Sequence, residues 1–395
     1  MPGRCSIFRR DMDVAETHEA AGHEERSDIA DVGDGASGTK RPVRFGRIRR
    51  WIRFGLTACV WGYTAGVVGL WLLFRLAGDR WWFATLLMFG PRWIYAVPLL
   101  GLVPAAIVMR RRWLLPLGVA VVIAVGPIMG FNVPWRTLGD DSQPDLRVVA
   151  YNIDRWNVKP ERFARMLEDV KPDLVAIQEC PTHRWNIPDG WDVRRAGELI
   201  VVSARPIVRH EVSRSRWPPG PRVINGMYCV VDTPAGRVGF ACVSLDTPRR
   251  GLSAVLDRET ILDLDQTGYA HKRIEWRRRE SEDMARWLAG FPEPKILAGD
   301  FNMPTDSTIY REFWRGYSNA FDRAGFGLGY TKRTSIRRRS YGARIDHVLT
   351  DGRWRAVACR LGPGLGSDHR PVIADVVWVG GTEAAASRPV GSGGP

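Results

Sequence analysis

Three long apolar segments near the beginning of the chain constrain its fold more than any other feature. They cover about residues 54–76, 93–109 and 113–131. Each approaches the ~20 residues that a helix needs to cross the ~30 Å hydrocarbon core of a bilayer. Tryptophans stand near the segment ends, as they do at membrane interfaces, at Trp51, Trp71, Trp81, Trp82, Trp93, Trp113 and Trp135. We therefore predict a membrane anchor at 41–135 with about three transmembrane helices, with buried core helices as the alternative.

Basic residues give the anchor an orientation. Six arginines lie within 41–53, before the first segment, and Arg110, Arg111 and Arg112 separate the second from the third. Because basic residues accumulate on the cytoplasmic side, three spans place the chain after residue 131 outside the cytoplasm. The stretch from Trp81, broken at Pro91, is either interfacial or the first part of a kinked span; a separate span there would reverse the prediction. The first apolar run begins too deep in the chain for a cleavable signal peptide.

The remaining composition indicates one large domain with appendages. The 395 residues carry a net charge of +14, which favours phosphates, nucleic acid or anionic lipid as partners, although part of it serves to orient the anchor. The acidic, polar segment 1–40 is predicted to be disordered, 136–146 is a linker and the Gly-rich segment 380–395 is a flexible tail. Six cysteines without a CxxC motif make a zinc site a poor interpretation.

The domain between 147 and 379 reads as many short strands with a few long helices. Apolar runs such as RVVAYNI at 147–153 and DLVAIQ at 173–178 predict buried strands, and 272–289 predicts an amphipathic helix. This pattern favours an α+β layered sandwich over a doubly wound parallel sheet. Cys229 and Cys242 flank a predicted hairpin turn, so they either form a disulfide or are two small buried residues on neighbouring strands.

Polar residues follow several of these strands and form the candidate site. Residues two apart in an extended chain point the same way, so each strand end directs its polar side chains at one point. Several carboxylates with two amides and one histidine suit Mg²⁺ or Mn²⁺ and a phosphate, whereas a single one would be a cap or an ion pair. The residues are Asn152 and Asp154 in YNID, Glu179 in IQEC, Asp300 and Asn302 in GDFN, Asp346 in RIDH, and Asp368 and His369 in SDHRP.

In this order, the motifs resemble the endonuclease/exonuclease/phosphatase (DNase I-like) superfamily over about 147–378. The resemblance implies a four-layer α/β sandwich that hydrolyses phosphate esters with a divalent metal. A multi-span anchor ahead of such a domain is also similar to bacterial membrane-bound members, including glycopeptide-resistance proteins of the VanJ type.

The resemblance also assigns the metal ligands. Glu179 would be the principal ligand, with Asn152 supporting metal or phosphate. Asp154 matches an acidic position found in part of the family, and Asp368 would complete the metal cluster or the shell around it. The implied cofactor is Mg²⁺ or Mn²⁺.

The catalytic roles follow in the same way. Asp300 would orient and deprotonate the attacking water, and Asn302 would hold a phosphate oxygen. His369 would stabilise charge on the phosphoryl group, with Asp346 fixing its tautomer and raising its basicity.

One position departs from the family. Many relatives have a histidine before a Leu-x-x-Pro turn, whereas this chain reads Ser244-Leu245-Asp246-Thr247-Pro248. A serine donates a hydrogen bond to substrate but supplies no proton near neutral pH.

Two arginine-rich stretches are candidates for anion binding. The first, 277–279, is interpreted as the exposed face of a helix. The second runs from Arg333 to Arg344, with Arg344 as a substrate-binding residue, and either frames the site or touches anionic lipid.

The sequence thus predicts a multi-pass membrane protein with an extracytoplasmic, Mg²⁺-dependent phosphoesterase domain. A lipid-linked phosphate is the attractive substrate, because the anchor keeps the site near the bilayer. The alternatives are an extracellular nuclease and a catalytically weakened sensor of phosphorylated ligands. Nucleic acid is not favoured, because no aromatic stacking pattern accompanies the basic stretches, and the sequence indicates no dedicated protein partner.

Overall fold

The computed structural model describes residues 43–155, 157–180, 187, 189–256, 264–336 and 339–380. The predicted disordered segment 1–40 and residues 381–395 of the predicted tail lie outside this part of the chain. The chain forms two compact units, Met1–Arg50 and Trp51–Pro395. The second unit contains both the apolar helices from Trp51 onward and all the strands, while the domain boundaries at 135, 146 and 379 stay predictions.

Among the described residues, four α-helices form the N-terminal part: α1 (Val43–Ala77), α2 (Trp82–Phe89), α3 (Leu99–Met109) and α4 (Leu114–Ile123). Within the described residues, three helical stretches are long and apolar enough to cross a membrane, namely Arg47–Ala77, Arg92–Met109 and Arg111–Ile128. Their surfaces are largely apolar and uncovered; Leu100 is 78% exposed and Val108 is 84% exposed. The 8-residue α2 extends about 12 Å, too short for a span of its own.

The described residues after them build two six-stranded sheets, a separate hairpin and five more α-helices. The elements are β1 (Leu146–Asn152), α5 (Pro160–Val170), β2 (Leu174–Gln178), β3 (Asp192–Ala196), β4 (Leu199–Ser203), β5 (Ile207–Ser215), β6 (Val223–Thr233), β7 (Gly236–Ser244), α6 (Arg249–Leu256), α7 (Leu264–Ala289), β8 (Lys295–Asp300), α8 (Thr308–Phe313), β9 (Ser318–Asn319), α9 (Ala320–Ala324), β10 (Lys332–Ile336), β11 (Arg339–Ala343), β12 (Asp346–Thr350), β13 (Trp354–Leu361) and β14 (Val372–Trp378). The first sheet has the order β13-β14-β1-β2-β4-β3 and the second β5-β6-β7-β8-β12-β9, while β10 pairs with β11.

The two sheets pack face to face because their strands are apolar on both sides. Successive side chains of a strand point to opposite faces, so Val148 and Ala150 of β1 enter the core between the sheets. Val149 and Tyr151 enter an outer core that α5 covers. A third core places α7 and α8 on the outer face of the second sheet. Helix, sheet, sheet and helix make four layers, which confirms the predicted α+β sandwich.

Buried polar contacts join the apolar helices to the sandwich. The Arg92 guanidinium, at the start of the second apolar stretch, donates to both carboxylate oxygens of Asp306 at 3.0 and 3.1 Å. Arg92 Nη1 also donates to the Ile128 carbonyl, at the end of the third stretch, at 2.8 Å. Asn132, which precedes the predicted linker 136–146, forms a bridge with Gly327. The Arg92 end of the second stretch and the Ile128 end of the third are therefore fixed to each other and to the sandwich.

Two details differ from the expectations drawn from sequence. Cys229 and Cys242 are free, buried thiols, because the register sets Cys229 opposite Phe240 rather than opposite Cys242. The interpretation of 277–279 as one exposed helix face is wrong for Arg277, whose side chain is 1% exposed. Arg278 and Arg279 do lie on the surface of α7, paired with glutamates.

Candidate functional site

Polar side chains from both sheets meet at one end of the sandwich. Asn152 ends β1 of the first sheet, and its Nδ2 donates to Asp300 Oδ2, at the end of β8 of the second sheet, at 3.0 Å. The same nitrogen donates to Glu179 Oε1 at 2.9 Å. Because β1 and β2 are parallel with Asn152 beside Gln178, Glu179 emerges at the same edge. One amide thus holds two carboxylates from different strands.

Asp300, Asp346 and His369 form the buried part of the site. Asp346 lies directly opposite Asp300 in the antiparallel pairing of β12 with β8. His369 Nδ1 is 2.8 Å from Asp346 Oδ2, and His369 Nε2 is 3.9 Å from Asp300 Oδ2. All three side chains are buried. The structure therefore brings together predicted residues from three separate sequence motifs, GDFN, RIDH and SDHRP.

Burial and mutual charge set the protonation of this group. Burial raises the pKa of Asp300 to about 7, and the Asp346 charge adds to this, while His369 and the Asn302 and Asn152 donors oppose it. Burial alone would lower the pKa of His369, but Asp346 and Asp300 outweigh burial and raise that pKa to about 9. His369 is thus a cation at neutral pH, whereas Asp300 titrates near neutrality, where a general base is effective.

The backbone geometry of the GDFN turn explains why a glycine and an asparagine occupy it. A Cβ on Gly299 would lie 2.0 Å from the Val243 carbonyl oxygen, so only glycine lets β8 approach β7 here. Asn302 has a φ of 52°, a left-handed conformation that asparagine tolerates better than most residues. Its backbone N–H donates to Asp300 Oδ1 and its Nδ2 to the Leu245 carbonyl, both at 2.8 Å. Asn302, two residues after Asp300, therefore fixes the Asp300 carboxylate through its backbone N–H.

The remaining predicted metal residues surround this centre. Glu179 is half-buried and has a φ of 54°, an uncommon conformation for glutamate that often marks a functional position. Asn152 Oδ1 accepts the Asp154 backbone N–H at 3.0 Å, so the amide oxygen is turned away from the two carboxylates. The Asp154 carboxylate accepts from Asn157 Nδ2 at 2.5 Å. Asp154 thus lies beside the site, with its side chain directed along its own turn.

Asp368 lies at the edge of the site, next to His369. Its carboxylate pairs with Lys332, and its Oδ1 is 3.7 Å from His369 Nε2. Among the described residues, that Oδ1 is buried and has no hydrogen-bond partner. A buried carboxylate oxygen in this state is a vacant acceptor for a cation or a donor.

Ser244 and Arg344 occupy different surroundings. Ser244 ends β7 beside Asp300 in the parallel pairing of β7 with β8, so it adjoins the site. Arg344 pairs with Asp322 at 2.6 Å, and its guanidinium lies 4.7 Å from the centre of the Phe321 ring. Its predicted substrate contact stays a prediction, and the structure places it in a separate group.

Several residues that support the site were missed by sequence reasoning. Thr331 Oγ1 accepts the backbone N–H groups of Ile345 and Asp346, each at 3.1 Å. His347, inside the RIDH motif, contacts the Met303 carbonyl through Nε2 at 2.9 Å. Burial lowers the pKa of His347 to about 4, so it is a neutral structural histidine. The RIDH motif itself was the available signal for His347, whereas Thr331 lies in no recognisable motif.

The donor set fits a hard divalent cation. The ligand atoms of Asp300, Asp346 and His369 all lie within 4.8 Å of one another, and Glu179 and Asp368 add carboxylate oxygens at the rim. Mg²⁺ prefers such oxygen donors. A protonated histidine has no lone pair to offer, so His369 is suited to donate to an anion. The carboxylates are the residues able to hold the metal.

The chain matches one family model and no curated protein. The model described as "Endonuclease/Exonuclease/phosphatase family" matches residues 149–369, which include every candidate residue of the site. No curated protein matches the chain.

Solved structures give matches of low identity. An endonuclease/exonuclease/phosphatase family protein from Leptotrichia buccalis is 13% identical, with 59% of this chain and 100% of that chain covered and a TM-score of 0.42. A 3'-5' exonuclease from Neisseria meningitidis is 19% identical, with 59% and 100% covered and a TM-score of 0.42. A mannosyl-6-phosphatase from Bacteroides thetaiotaomicron is 17% identical, with 59% and 100% covered and a TM-score of 0.41.

Proposed function

This chain belongs to the endonuclease/exonuclease/phosphatase family, and from that membership we propose that it is a membrane-anchored, Mg²⁺-dependent phosphoesterase. The observation that carries the proposal is the convergence of Glu179, Asp300 and His369 through two bridging residues. Asn152 joins Glu179 to Asp300, and Asp346 holds His369. An acidic site that carries one buried cation suits an attack by water on a phosphate ester.

Asp300 is the residue that activates the water. Its carboxylate is fixed by Asn152 Nδ2 at 3.0 Å and by the Asn302 N–H at 2.8 Å. Its raised pKa lets it accept a proton near neutral pH, which general base catalysis requires. The hydrogen bonds to its oxygens preorganise it, so no reorganisation is needed when the water loses its proton.

His369 stabilises the negative charge that develops on the phosphoryl oxygens. Asp346 accepts from Nδ1, which leaves Nε2–H directed towards the space between Asp300 and Asp368. An imidazolium there donates a charge-assisted hydrogen bond, which is shorter and stronger than a neutral one. Asn302 contributes by fixing the loop, and its predicted contact with a phosphate oxygen is part of this proposal.

The metal would be held by Glu179 and the neighbouring carboxylates. A bound Mg²⁺ or Mn²⁺ supplies Lewis-acid neutralisation of charge on the phosphate. Asn152, with its nitrogen turned to the carboxylates, orients the ligands in the present arrangement. Asp154 and Asp368 are proposed as additional members of the ligand shell.

The membrane placement follows from the helices and the arginines. The three apolar stretches meet the length requirement. In the sequence, six arginines within 41–53 precede or open the first stretch, and Arg110–Arg112 separate the second from the third. The positive-inside tendency then puts the sandwich outside the cytoplasm. A phosphate carried by a membrane lipid is the favoured substrate class, because the active end of the sandwich adjoins the helix ends.

The test uses the full chain purified in detergent micelles. Hydrolysis of bis-p-nitrophenyl phosphate, a polyprenyl diphosphate, sphingomyelin and DNA is measured with Mg²⁺ and with EDTA. We expect metal-dependent turnover that Glu179→Ala and Asp300→Ala each remove, while the exposed control Asp232→Ala keeps it. Unchanged turnover in both site variants would refute the site. Binding of a phosphorylated ligand without turnover on any substrate would favour the sensor, and DNA as the best substrate would favour the nuclease.

Topology is tested separately by reporter fusions at the C-terminus. We expect an alkaline phosphatase fusion to be active, because that reporter requires export from the cytoplasm. An inactive phosphatase fusion together with a fluorescent cytoplasmic reporter would reverse the orientation.

A further inference from the structure

A cleft of about 770 Å³ lies between the ends of the apolar helices and one edge of the first sheet. Its two sides differ in chemistry. Trp93, Phe326 and Leu328 give it an apolar side, and Arg333, Arg360 and Arg370 give it a basic side. The proposed reaction uses none of these residues.

The cleft opens where two predicted membrane spans end. Met129 and Arg92 contribute to its wall, and they stand at the outer ends of the third and second apolar stretches. Tyr330 ties the sandwich side to this level by donating its hydroxyl to the Met129 carbonyl at 3.1 Å. The cleft is therefore continuous with the apolar surface of the helices.

Exposed aromatic side chains border the apolar side. Phe326 is 70% exposed and Phe131 is 38% exposed, and the two rings pack edge-on at 5.5 Å between ring centres. Large apolar side chains rarely stay uncovered in a group on a protein in water, and aromatic residues are enriched at the level of lipid headgroups. The border of the cleft thus matches the interfacial layer of a bilayer.

The basic side lacks counter-charges. Arg370 is held in place by the Gly362 carbonyl, at 3.0 Å from Nε and 2.7 Å from Nη2. In the part of the chain that the structure describes, no acidic side chain pairs with Arg333, Arg360 or Arg370. Three guanidinium groups without an anion favour a phosphate, which accepts from the planar donors of arginine.

We propose that this cleft binds an anionic membrane lipid. Its phosphate lies against Arg333, Arg360 and Arg370, and the first carbons of its chains lie along Trp93, Phe326 and Leu328. The inference rests on the proposed membrane placement and not on the proposed reaction. Charge complementarity on one side and continuity with the apolar helices on the other select a lipid over a soluble anion.

The cleft lies beside the proposed catalytic histidine, His369. Arg370 directly follows His369, and the Arg333 N–H donates to the Asp368 carbonyl at 2.8 Å. A single antiparallel bridge, between Lys332 and His369, therefore lies between the cleft and the active site. A lipid phosphate in the cleft would secure this segment from its outer side.

The test measures binding in the inactive Asp300→Ala background, so that its outcome is independent of turnover. The full chain in neutral detergent is titrated against fluorescent phosphatidylglycerol, and binding is read by anisotropy. We expect at least tenfold tighter binding of phosphatidylglycerol than of phosphatidylcholine. Arg333→Gln with Arg360→Gln should remove that preference, whereas Arg162→Gln with Arg165→Gln on α5, which loses the same charge, should keep it.

Further outcomes identify what would overturn the proposal. Equal binding of phosphatidylglycerol and phosphatidylcholine would indicate that the cleft is only an apolar surface without a phosphate site. Displacement of the lipid by inorganic phosphate at equal concentration would indicate a soluble anion, and stronger displacement by single-stranded DNA a nucleic acid. Equal losses in the α5 control would indicate unspecific charge. Thermal unfolding of each variant establishes that it is folded. Phe326→Ser should weaken binding of the lipid without changing competition by inorganic phosphate.

Discussion

Arg277 Nη1 lies 2.6 Å from Asp79 Oδ1, and both side chains are almost completely buried. Asp79 belongs to the turn after α1, and Arg277 belongs to α7 of the sandwich. The same guanidinium donates to the Asn302 carbonyl at 2.9 Å, while Ser307 Oγ donates to Asp79 Oδ2 at 2.6 Å. A single buried ion pair therefore joins the apolar helices to the turn that holds Asp300.

Asp79→Asn should destabilise the protein strongly. Removal of one partner leaves Arg277 as an uncompensated buried charge, which costs about 3–5 kcal/mol. Thermal unfolding in detergent should show a large loss, and hydrolysis should fall with it because Asn302 loses its anchor. Asp232→Asn, in an exposed pair with Arg237 at 3.1 Å, should cost less than about 1 kcal/mol. Similar unfolding temperatures for the two variants would contradict the proposed importance of the pair.

Ser244→His should increase turnover on substrates with poor leaving groups. Ser244 stands beside Asp300 in the β7–β8 register, at the position where many relatives have a histidine. General acid catalysis contributes roughly 10²–10⁴-fold, but only where the leaving group needs a proton. Alkyl phosphate hydrolysis should rise, and p-nitrophenyl ester hydrolysis should change little. An equal gain on both substrates would point to another cause.

Asp346→Asn should shift the alkaline limb of the pH–rate profile. Burial lowers the pKa of His369, but Asp346 and, to a smaller extent, Asp300 outweigh it and raise the pKa to about 9, so the wild-type imidazolium is present below about pH 9 and is lost above it. Asparagine keeps an acceptor for Nδ1 but removes the charge. The alkaline limb of kcat/KM should therefore move towards neutral pH, with a lower maximum. A remote loss of charge, Asp322→Asn, should leave the limb in place.

Glu280→Gln should make stability less dependent on pH. Burial raises the pKa of Glu280 from 4.5 to about 7, and the neighbouring Asp246 charge adds to this against the hydrogen bonds that it accepts. The folded state therefore retains a proton that the unfolded state has lost, and wild-type stability should fall as pH rises from about 4.5 to about 7. The total change is on the order of 3 kcal/mol at 1.36 kcal/mol per pKa unit.

Glutamine removes this titration and finds a partner. Asn225 Nδ2 donates to Glu280 Oε1 at 3.0 Å, while Asn225 Oδ1 is buried with no hydrogen-bond partner among the described residues. Rotation of the Asn225 amide would let Oδ1 accept from the new glutamine. Unfolding temperatures between pH 5 and 8 should be flatter for Glu280→Gln, and unchanged in shape for the exposed control Glu282→Gln. A parallel decline in both variants would contradict this.

Local patterns predicted much of the fold and most of the site. The three apolar segments, the strand at 147–153 and the strand ends at Asp300 and Asp346 are all encoded in runs of neighbouring residues. Each polar residue at a strand end could be identified from the sequence because an apolar run preceded it. The meeting of Asn152 with Asp300 could be expected only through the family resemblance, because it depends on how two sheets stack.

Long-range partners were not predictable in the same way. An arginine in a helix usually faces water, and nothing near Arg277 in sequence indicates that Asp79 lies against it. Thr331 supports Asp346 through backbone contacts that leave no pattern. The cleft also escaped prediction, because its sides come from the helix ends, α9, β13 and the segment before β10.

The contacts at Arg92 and Asp306 and at Arg277 and Asp79 give the sandwich a fixed height and tilt above its helices. A catalytic domain joined to its anchor by a flexible linker samples many orientations, so it encounters dissolved molecules as readily as those in the bilayer. On the proposed membrane placement, these two contacts confine the active site to a shallow layer above the bilayer, and hydrolysis should then depend on how far a phosphate protrudes from the membrane surface.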